Sequence, residues 1–336
     1  MLNPPLTKQH KKLSLLDRAR RWLRHGDVPW QILIFLMAFL VLILVTAIGW
    51  LMWQESAVSR EKFGWTFIMP ANEFAWNPIK SNFQSWPFIY GTLVTSFVAV
   101  VVAVPVSLGI AIFLAELCPT WLRPPISWLI ELLAAVPSVI YGLWGIFVFL
   151  PVVVAPLGKA LTPLGTLPIV NIFLEGPMPE SGASRLAAGL ILAIMIIPTI
   201  AAVSRDVLLA IPNHQREASL ALGATQWETI WQVLLPYGLS GILGAVILGL
   251  GRALGETMAV TMVIGNSISS SYSLLGPGYN MSSIIANEFA EAVNAVHLSA
   301  LIEIGLVLFV MTFVLNIVAR FLVWQVARKT PSEVRT

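Results

Sequence analysis

Two residues of opposite charge stand four positions apart inside a long apolar run: Arg252 and Glu256, within Gly241–Ile264. If the run is one helix, residues at that spacing share a face and can neutralise each other. At mid-span a side chain lies roughly 15 Å from either water face, at about 1.5 Å of rise per residue. A charge at that depth is costly, so it faces a partner or a water-filled cavity. A guanidinium is planar, permanently charged and matched to oxyanions. Conduction requires release as well as capture, and a neighbouring carboxylate that competes for the guanidinium keeps affinity modest. Two readings follow, an ion pair that fixes helix packing and an anion gate. Arg252, Glu256 and the adjoining Thr257 are the gate candidates. Gly251 and Gly255 follow the small-x-x-x-small spacing that lets a second helix approach closely.

The second chemistry-bearing stretch runs from Ile211 to Tyr237 and holds two helical patterns separated by a turn. A plain connection would be shorter. Asn213 is placed to cap a first helix, and Gly223 can end it by taking a left-handed conformation. Thr225 with Glu228 has the Thr-x-x-Glu spacing of a capping box that starts a second helix. Trp227, Ile230, Trp231 and Leu234 then fall on one apolar face, and Pro236 is expected to stop that helix. The element reads either as an interfacial helix lying on lipid or as a docking lug for a cytoplasmic partner.

The elements that must position these residues are membrane helices. Of 336 residues, 57% are hydrophobic and 11% charged, against roughly 25% charged in a soluble domain. Apolar runs near the ~20 residues of a span are Gln31–Trp53, Gly91–Leu114, Ile126–Leu150, Leu186–Leu209, Gly241–Ile264 and Ala300–Val323. The expected fold is all-α and integral to the membrane, with about six spans. Lys and Arg mark the cytoplasmic side. They crowd the N-terminal tail (Lys8, Lys11, Lys12, Arg18, Arg20, Arg21, Arg24), the C-terminal tail (Arg320, Arg328, Lys329, Arg335) and the inner loops (Arg123, Arg205, Arg216). Arg60, Lys62, Lys80, Lys159 and Arg185 fall outside, and both termini are expected in the cytoplasm. The first apolar run is too long for a signal peptide's core, so it is read as a retained helix.

Other functions are excluded in turn. The single cysteine, Cys118, rules out an intrachain disulfide. The four histidines are scattered, so no metal site is proposed. No aromatic–basic surface for nucleic acid occurs. No Gly-x-x-x-x-Gly-Lys-[Ser/Thr] loop occurs, so nucleotide hydrolysis is expected elsewhere. An intramembrane enzyme would need paired catalytic groups at one depth, and no Ser/His pair, Asp dyad or His-Glu-x-x-His helix lies in the spans.

Here the residues carry a resemblance. Glu217-Ala218-Ser219, then Gly223, Val233, Leu235 and Pro236, resembles the signature of ABC-importer permeases, Glu-Ala-Ala-x3-Gly-x9-Ile-x-Leu-Pro. Ser219 and Val233 are mild departures. Leu248–Val260 (LGLGRALGETMAV) and Glu131–Phe149 (ELLAAVPSVIYGLWGIFVF) resemble the phosphate-specific PstC family of such permeases over roughly residues 60–325. The paired PstA family usually continues Ala-Pro where Met258-Ala259 stands here. The resemblance implies a type I importer permease fold (MetI-like) and half of a phosphate pathway, with Arg252 and Glu256 at its transport-critical pair. It implies a coupling element of Glu217, Ala218, Gly223, Ala224 and Pro236 that docks on the ATPase. It also implies no cofactor on this chain, ATP and Mg being bound by the partner ATPase. The implied partners are a PstA-like second permease, a PstB-like ATPase dimer, a PstS-like phosphate-binding protein outside, and lipid. A permease for molybdate or sulfate, or the PstA partner itself, stays open as an alternative.

On these grounds the chain divides into a basic tail (1–30), a first span (31–53), an outer loop (54–90), a permease core (91–325) carrying the coupling loop (211–237), and a short tail (326–336). Glu131 is expected near the cytoplasmic end of the third span, either snorkelling or on the pathway. Pro105, Pro137 and Pro198 interrupt spans and can bend them, with Pro137 the pathway candidate. Glu303 is expected to be interfacial, Glu288 and Glu291 solvated or in contact with a binding protein, with solvation favoured, and Arg205 paired with Asp206.

Overall fold

Lipid offers no partner to backbone N–H and C=O groups, so long apolar runs close their hydrogen bonds internally as helices. The computed structural model describes residues 27–70, 75–166, 171–174, 178–268 and 271–329. In chain order its helices are α1 Asp27–Glu55, α2 Ala57–Phe63, α3 Trp86–Ile112, α4 Arg123–Ala135, α5 Ser138–Trp144, α6 Ala155–Leu161 and α7 Asn171–Leu174. They continue with α8 Arg185–Leu209, α9 Asn213–Ala221, α10 Gln226–Thr229, α11 Leu235–Gly255, α12 Met258–Val263, α13 Met281–Glu288 and α14 Ala295–Lys329. A two-stranded antiparallel hairpin, β1 Trp76–Asn77 and β2 Asn82–Phe83, was not expected. The basic residues Lys8 to Arg24 and Arg335 lie outside the described residues.

The chain divides at Gln54 into two units. In the first, α1 is apolar all round and its large side chains are exposed, as befits a helix bounded by lipid. In the second, α8 is the central helix, packed chiefly against α3 and α11. Its buried residues Ile191, Leu192, Met195, Ile196 and Ile200 form one core with Ala99 and Ala103 of α3 and Ala253 of α11. A second core at the outer end gathers Phe67, Trp76, Phe83 and Phe88 with Met281, Ile284 and Ile304.

Among the described residues six helices are long and apolar enough to span: Trp30–Glu55, Trp86–Leu117, Ser138–Leu161, Arg185–Leu209, Gln226–Gly255 and Ala295–Gln325. The third and fifth differ from the sequence expectation, because each expected span contains a break. Val136 (φ −64°, ψ 129°) and Pro137 (φ −58°, ψ 138°) are extended. Proline disfavours helical geometry at the preceding residue. The apolar run is therefore cut, and the span starts at Ser138. The fifth helix ends at Glu256 (φ −69°, ψ 126°), well before Ile264. Pro236 does not stop it. A π-helical turn over Ile230–Leu234 precedes, and Pro236 sits in the first turn of α11, where its missing N–H is no loss. Pro105 and Pro198 stay inside α3 and α8.

Candidate functional site

The two breaks meet. Beyond them α5 and α12 pack together, and a Cβ on Gly142 would fall 3.2 Å from the Ala259 Cα. Before them, the end of α4 faces the end of α11. A helix C-terminus leaves unpaired carbonyls and a partial negative charge. Both Nη atoms of Arg252 lie 3.5 Å from the carbonyl oxygen of Ala134, in the last turn of α4, and Nη1 donates to Thr199 Oγ1 of α8 at 3.2 Å. The guanidinium is half-buried, and among the described residues no carboxylate pairs with it.

Glu256 is not on the helix of Arg252, so the expected neutralising pair does not form. The break turns the chain away, and Glu256 Oε1 accepts the Ala259 N–H at 3.2 Å, capping α12. Its carbonyl accepts Ser282 Oγ of α13 at 3.0 Å. Thr257 lies in the break itself and accepts from Thr261 Oγ1 through its carbonyl at 2.7 Å. Arg252 sits in the last turn of α11 rather than at mid-span. Pro137 belongs to this site through the break itself: its missing N–H frees the Leu133 carbonyl, which accepts from the Tyr141 hydroxyl at 2.9 Å, and the end of the helix leaves the Ala134 carbonyl to Arg252.

The glycines of α11 sort onto two sides. A Cβ on Gly241 or Gly249 would press into Val207 or Ile200 of α8, whereas Gly244, Gly251 and Gly255 have nothing within 4 Å. The expected helix approach at Gly251 and Gly255 is thus not made within this chain. Their face is open.

Glu131 lies on α4, outside the span proper. It pairs with Arg205 at 3.2 Å, and Arg205 also pairs with Asp206 at 2.8 Å as expected. Glu288, expected to be solvated, accepts Trp76 Nε1 at 2.9 Å and contacts His297 Nε2 at 2.8 Å. Glu303, expected to be interfacial, is buried, 3% exposed. Glu291 is exposed.

The second site is the 211–237 hairpin. Its capping box forms as expected: the Glu228 N–H donates to Thr225 Oγ1, and the Thr225 N–H donates to Glu228 Oε2 at 2.8 Å. Gly223 has φ +90°. The Gly223 N–H donates to Leu220 O and the Ala224 N–H to Ser219 O, the paired bonds of a left-handed helix end. Asn213 does not cap α9, which starts after Pro212. Ser219, the departure from the importer signature, has a task here, since its hydroxyl meets Thr229 Oγ1 at 2.9 Å and ties α9 to the following helix. The expected apolar face splits. Ile230 and Leu234 are buried with Ile112, Leu208 and Ile242, while Trp227 and Trp231 stay exposed, edge to face at 5.6 Å. Leu222, at the turn, is 90% exposed. Glu217, Ala218 and Pro236 are exposed and Ala224 is half-buried.

Sequence reasoning missed the anchor of this hairpin. Arg216 Nη2 bonds Glu116 Oε1 at 2.7 Å and the Leu208 carbonyl at 2.7 Å, and Nη1 bonds the Ile211 carbonyl at 2.6 Å. The Arg216 and Glu116 side chains are 17% and 10% exposed. A single acid at the end of an apolar run, next to Cys118-Pro119, was the available signal.

Residues 107–330 match the family described as the binding-protein-dependent transport system inner membrane component. The chain belongs to this family. Members similar to it include the phosphate transport system permease protein PstC of Xylella fastidiosa (strain 9a5c), 44% identical over 294 residues, which cover 87% of this chain and 89% of the relative. The PstC of Haemophilus influenzae is 47% identical over 289 residues, 86% of this chain and 90% of the relative. Among solved structures, a chain of the MetNI methionine ABC transporter in an inward-facing conformation aligns with TM-score 0.52 at 20% identity, over 70% of this chain and 93% of that one. A chain of a bacterial ABC transporter involved in alginate import aligns with TM-score 0.55 at 16% identity, over 93% of this chain and all of that one. These likenesses show the type I importer permease fold. As a binding-protein-dependent inner membrane component, the protein is a multi-pass transport subunit of the bacterial inner membrane rather than an enzyme.

Proposed function

We propose that this permease carries inorganic phosphate as one half of the translocation pathway of an ATP-driven importer. The observation that carries the reading is a guanidinium with no carboxylate partner among the described residues, held at 3.2–3.5 Å by neutral oxygens where two broken helices meet. Broken helices at membrane depth are tolerated where they line a cavity or pathway. Long bonds to a carbonyl and a hydroxyl are readily exchanged for charge-assisted bonds to an oxyanion. Relatives named for phosphate transport supply the choice among oxyanions. Glu256, tied to α12 and α13, serves as the second gate residue. It positions the break and opposes a trapped anion by its charge.

The other half of the pathway comes from a second, PstA-like permease, and the open face of Gly244, Gly251 and Gly255 is where its helix fits. The exposed Leu222, Trp227 and Trp231, beside Glu217, Ala218 and Gly223, form the surface for a PstB-like ATPase dimer, which binds the ATP and Mg. A PstS-like protein delivers phosphate from outside. A Cβ at Gly251 meets no atom of the described residues within 4 Å, so in Gly251→Leu the fold is expected to be retained while pairing with the second permease is lost. Co-purification of the two permeases measures this, and an intact pair with Gly251→Leu removes the assignment of that face.

Labelled phosphate uptake into vesicles holding the purified complex tests the function. Phosphate accumulates with ATP, and excess sulfate or molybdate leaves its uptake unchanged. Uptake of either competitor in preference to phosphate would select the alternative reading, a permease for that oxyanion.

A further inference from the structure

Arg185 opens α8 at the end opposite the coupling hairpin. It is 1% exposed, no carboxylate pairs with it among the described residues, and its Nε is buried with no hydrogen-bond partner. Burying a charge without a counter-charge is costly. What covers it is the segment Ser271–Asn280, which acts as a strap across the outer ends of α3 and α8.

The bonds between the strap and these helices at this point run one way. Arg185 Nη1 donates to the Ser273 carbonyl at 2.9 Å, the Arg185 N–H to the Gly276 carbonyl at 3.1 Å and the Leu186 N–H to the Leu274 carbonyl at 2.8 Å. The Tyr90 hydroxyl, on α3, donates to the Tyr272 carbonyl at 2.5 Å, and the Tyr90 ring lies under the guanidinium at 5.8 Å. A guanidinium, two N–H groups in the first turn of a 25-residue helix and a phenol are the donor set that binds an oxyanion at a helix N-terminus. Here four strap carbonyls occupy it. The guanidinium also fills the place of a side chain on Gly278, whose Cβ would fall 2.6–2.8 Å from Nε, Cζ and Nη2.

We propose that the strap is an internal stand-in for an oxyanion. When it lifts, Arg185, the α8 N-terminus and Tyr90 form an outer phosphate site. Neutral carbonyls compensate a buried cation only partly, so an anion that binds the lifted state shifts the population toward it. Thr199, the partner of Arg252, lies fourteen residues further along α8, so the two guanidinium stations are about 21 Å apart along the helix at ~1.5 Å per residue. The strap also reaches the gate, because α13 follows it directly and Ser282 of α13 holds the Glu256 carbonyl. The naming of phosphate rests on the import reading above.

The test uses the whole complex in lipid nanodiscs with Cys118→Ser and Ser273→Cys, and reads the rate of maleimide labelling at the buried position 273 against inorganic phosphate. Phosphate raises the rate saturably, by about tenfold for a modest shift in population. In Arg185→Gln the rate no longer responds to phosphate, and Arg185→Lys restores part of the response. Gly278→Ala displaces the guanidinium and raises the rate without phosphate. This variant carries the test should Arg185→Gln fail to assemble. Phosphate-independent labelling of the parent protein, a retained response in Arg185→Gln, or a parent-like basal rate in Gly278→Ala overturns the proposal. Phosphate uptake by the same complex is scored separately: a parent that transports phosphate with an unresponsive strap rejects only the outer site, and one that responds but does not transport phosphate rejects only the import reading.

Discussion

Arg252→Gln abolishes phosphate uptake while the complex still assembles. The reason lies in what the side chain touches. Among the described residues the hydrogen bonds of the guanidinium go to the Ala134 carbonyl and the Thr199 hydroxyl, both neutral oxygens that water can serve instead. Removing the charge therefore leaves no buried carboxylate stranded, and the fold loses little. The permeating anion loses its one permanent counter-charge at the junction of the breaks. Charge-assisted bonds are worth about 1.5–3 kcal/mol each, so losing two lowers passage by at least roughly a hundredfold. Labelled phosphate uptake, with membrane insertion and ATPase association as controls, measures the effect. Arg252→Lys recovers only part of the rate, since an ammonium cannot present the planar fork. Uptake at the wild-type rate in Arg252→Gln would remove the gate reading. Glu256→Gln behaves differently. Its amide oxygen can still accept the Ala259 N–H, so the cap survives and a smaller loss is expected.

What the sequence made legible follows from the length scale of each signal. Twenty-residue apolar runs specify spans because the bilayer leaves the backbone one option, and α1, α3, α8 and α14 fall where the runs do. The coupling hairpin was legible in detail at Thr225, Glu228 and Gly223, since capping is local chemistry. The breaks were not. Val136-Pro137 and Glu256-Thr257 lie inside runs that remain apolar on both sides, and hydropathy does not distinguish a continued helix from a broken one. Pro105 and Pro198 are tolerated within helices while Pro137 is not, and composition does not tell these cases apart. Once the helix breaks, the Ala134 carbonyl is met by Arg252, more than a hundred residues away in sequence. The Arg252–Glu256 pairing failed for the same reason: a four-residue spacing means contact only while the helix continues. Arg185 was legible as an outer cation, but its burial depends on loop carbonyls that no pattern encodes.

The coupling hairpin yields the second large effect. Gly223→Val leaves ATP hydrolysis running but uncouples it from uptake. A Cβ at Gly223 meets no atom of the described residues within 4 Å, so the strain is in the backbone, at φ +90°. A β-branched residue there carries a penalty of roughly 1–2 kcal/mol, enough to unwind the turn that sets the angle between α9 and the Trp227–Trp231 face. The hairpin's root is unaffected, because Arg216 still holds Glu116 and the Leu208 and Ile211 carbonyls. Glu116→Gln makes the complementary cut. It leaves the turn intact but strands a buried guanidinium, and breaking such a pair costs about 3–5 kcal/mol before the two carbonyls offset part of it. If the hairpin transmits ATPase closure as a rigid lever, both variants uncouple. Gly223→Val does so by changing the surface the ATPase grips, and Glu116→Gln by loosening the pivot at the foot of α3. Uptake and ATPase rate measured together separate these. Gly223→Val lowers the affinity of the ATPase for the membrane complex, whereas Glu116→Gln leaves binding intact and lowers phosphate moved per ATP. Normal uptake with phosphate-stimulated hydrolysis in Gly223→Val would mean that the turn is not where force passes.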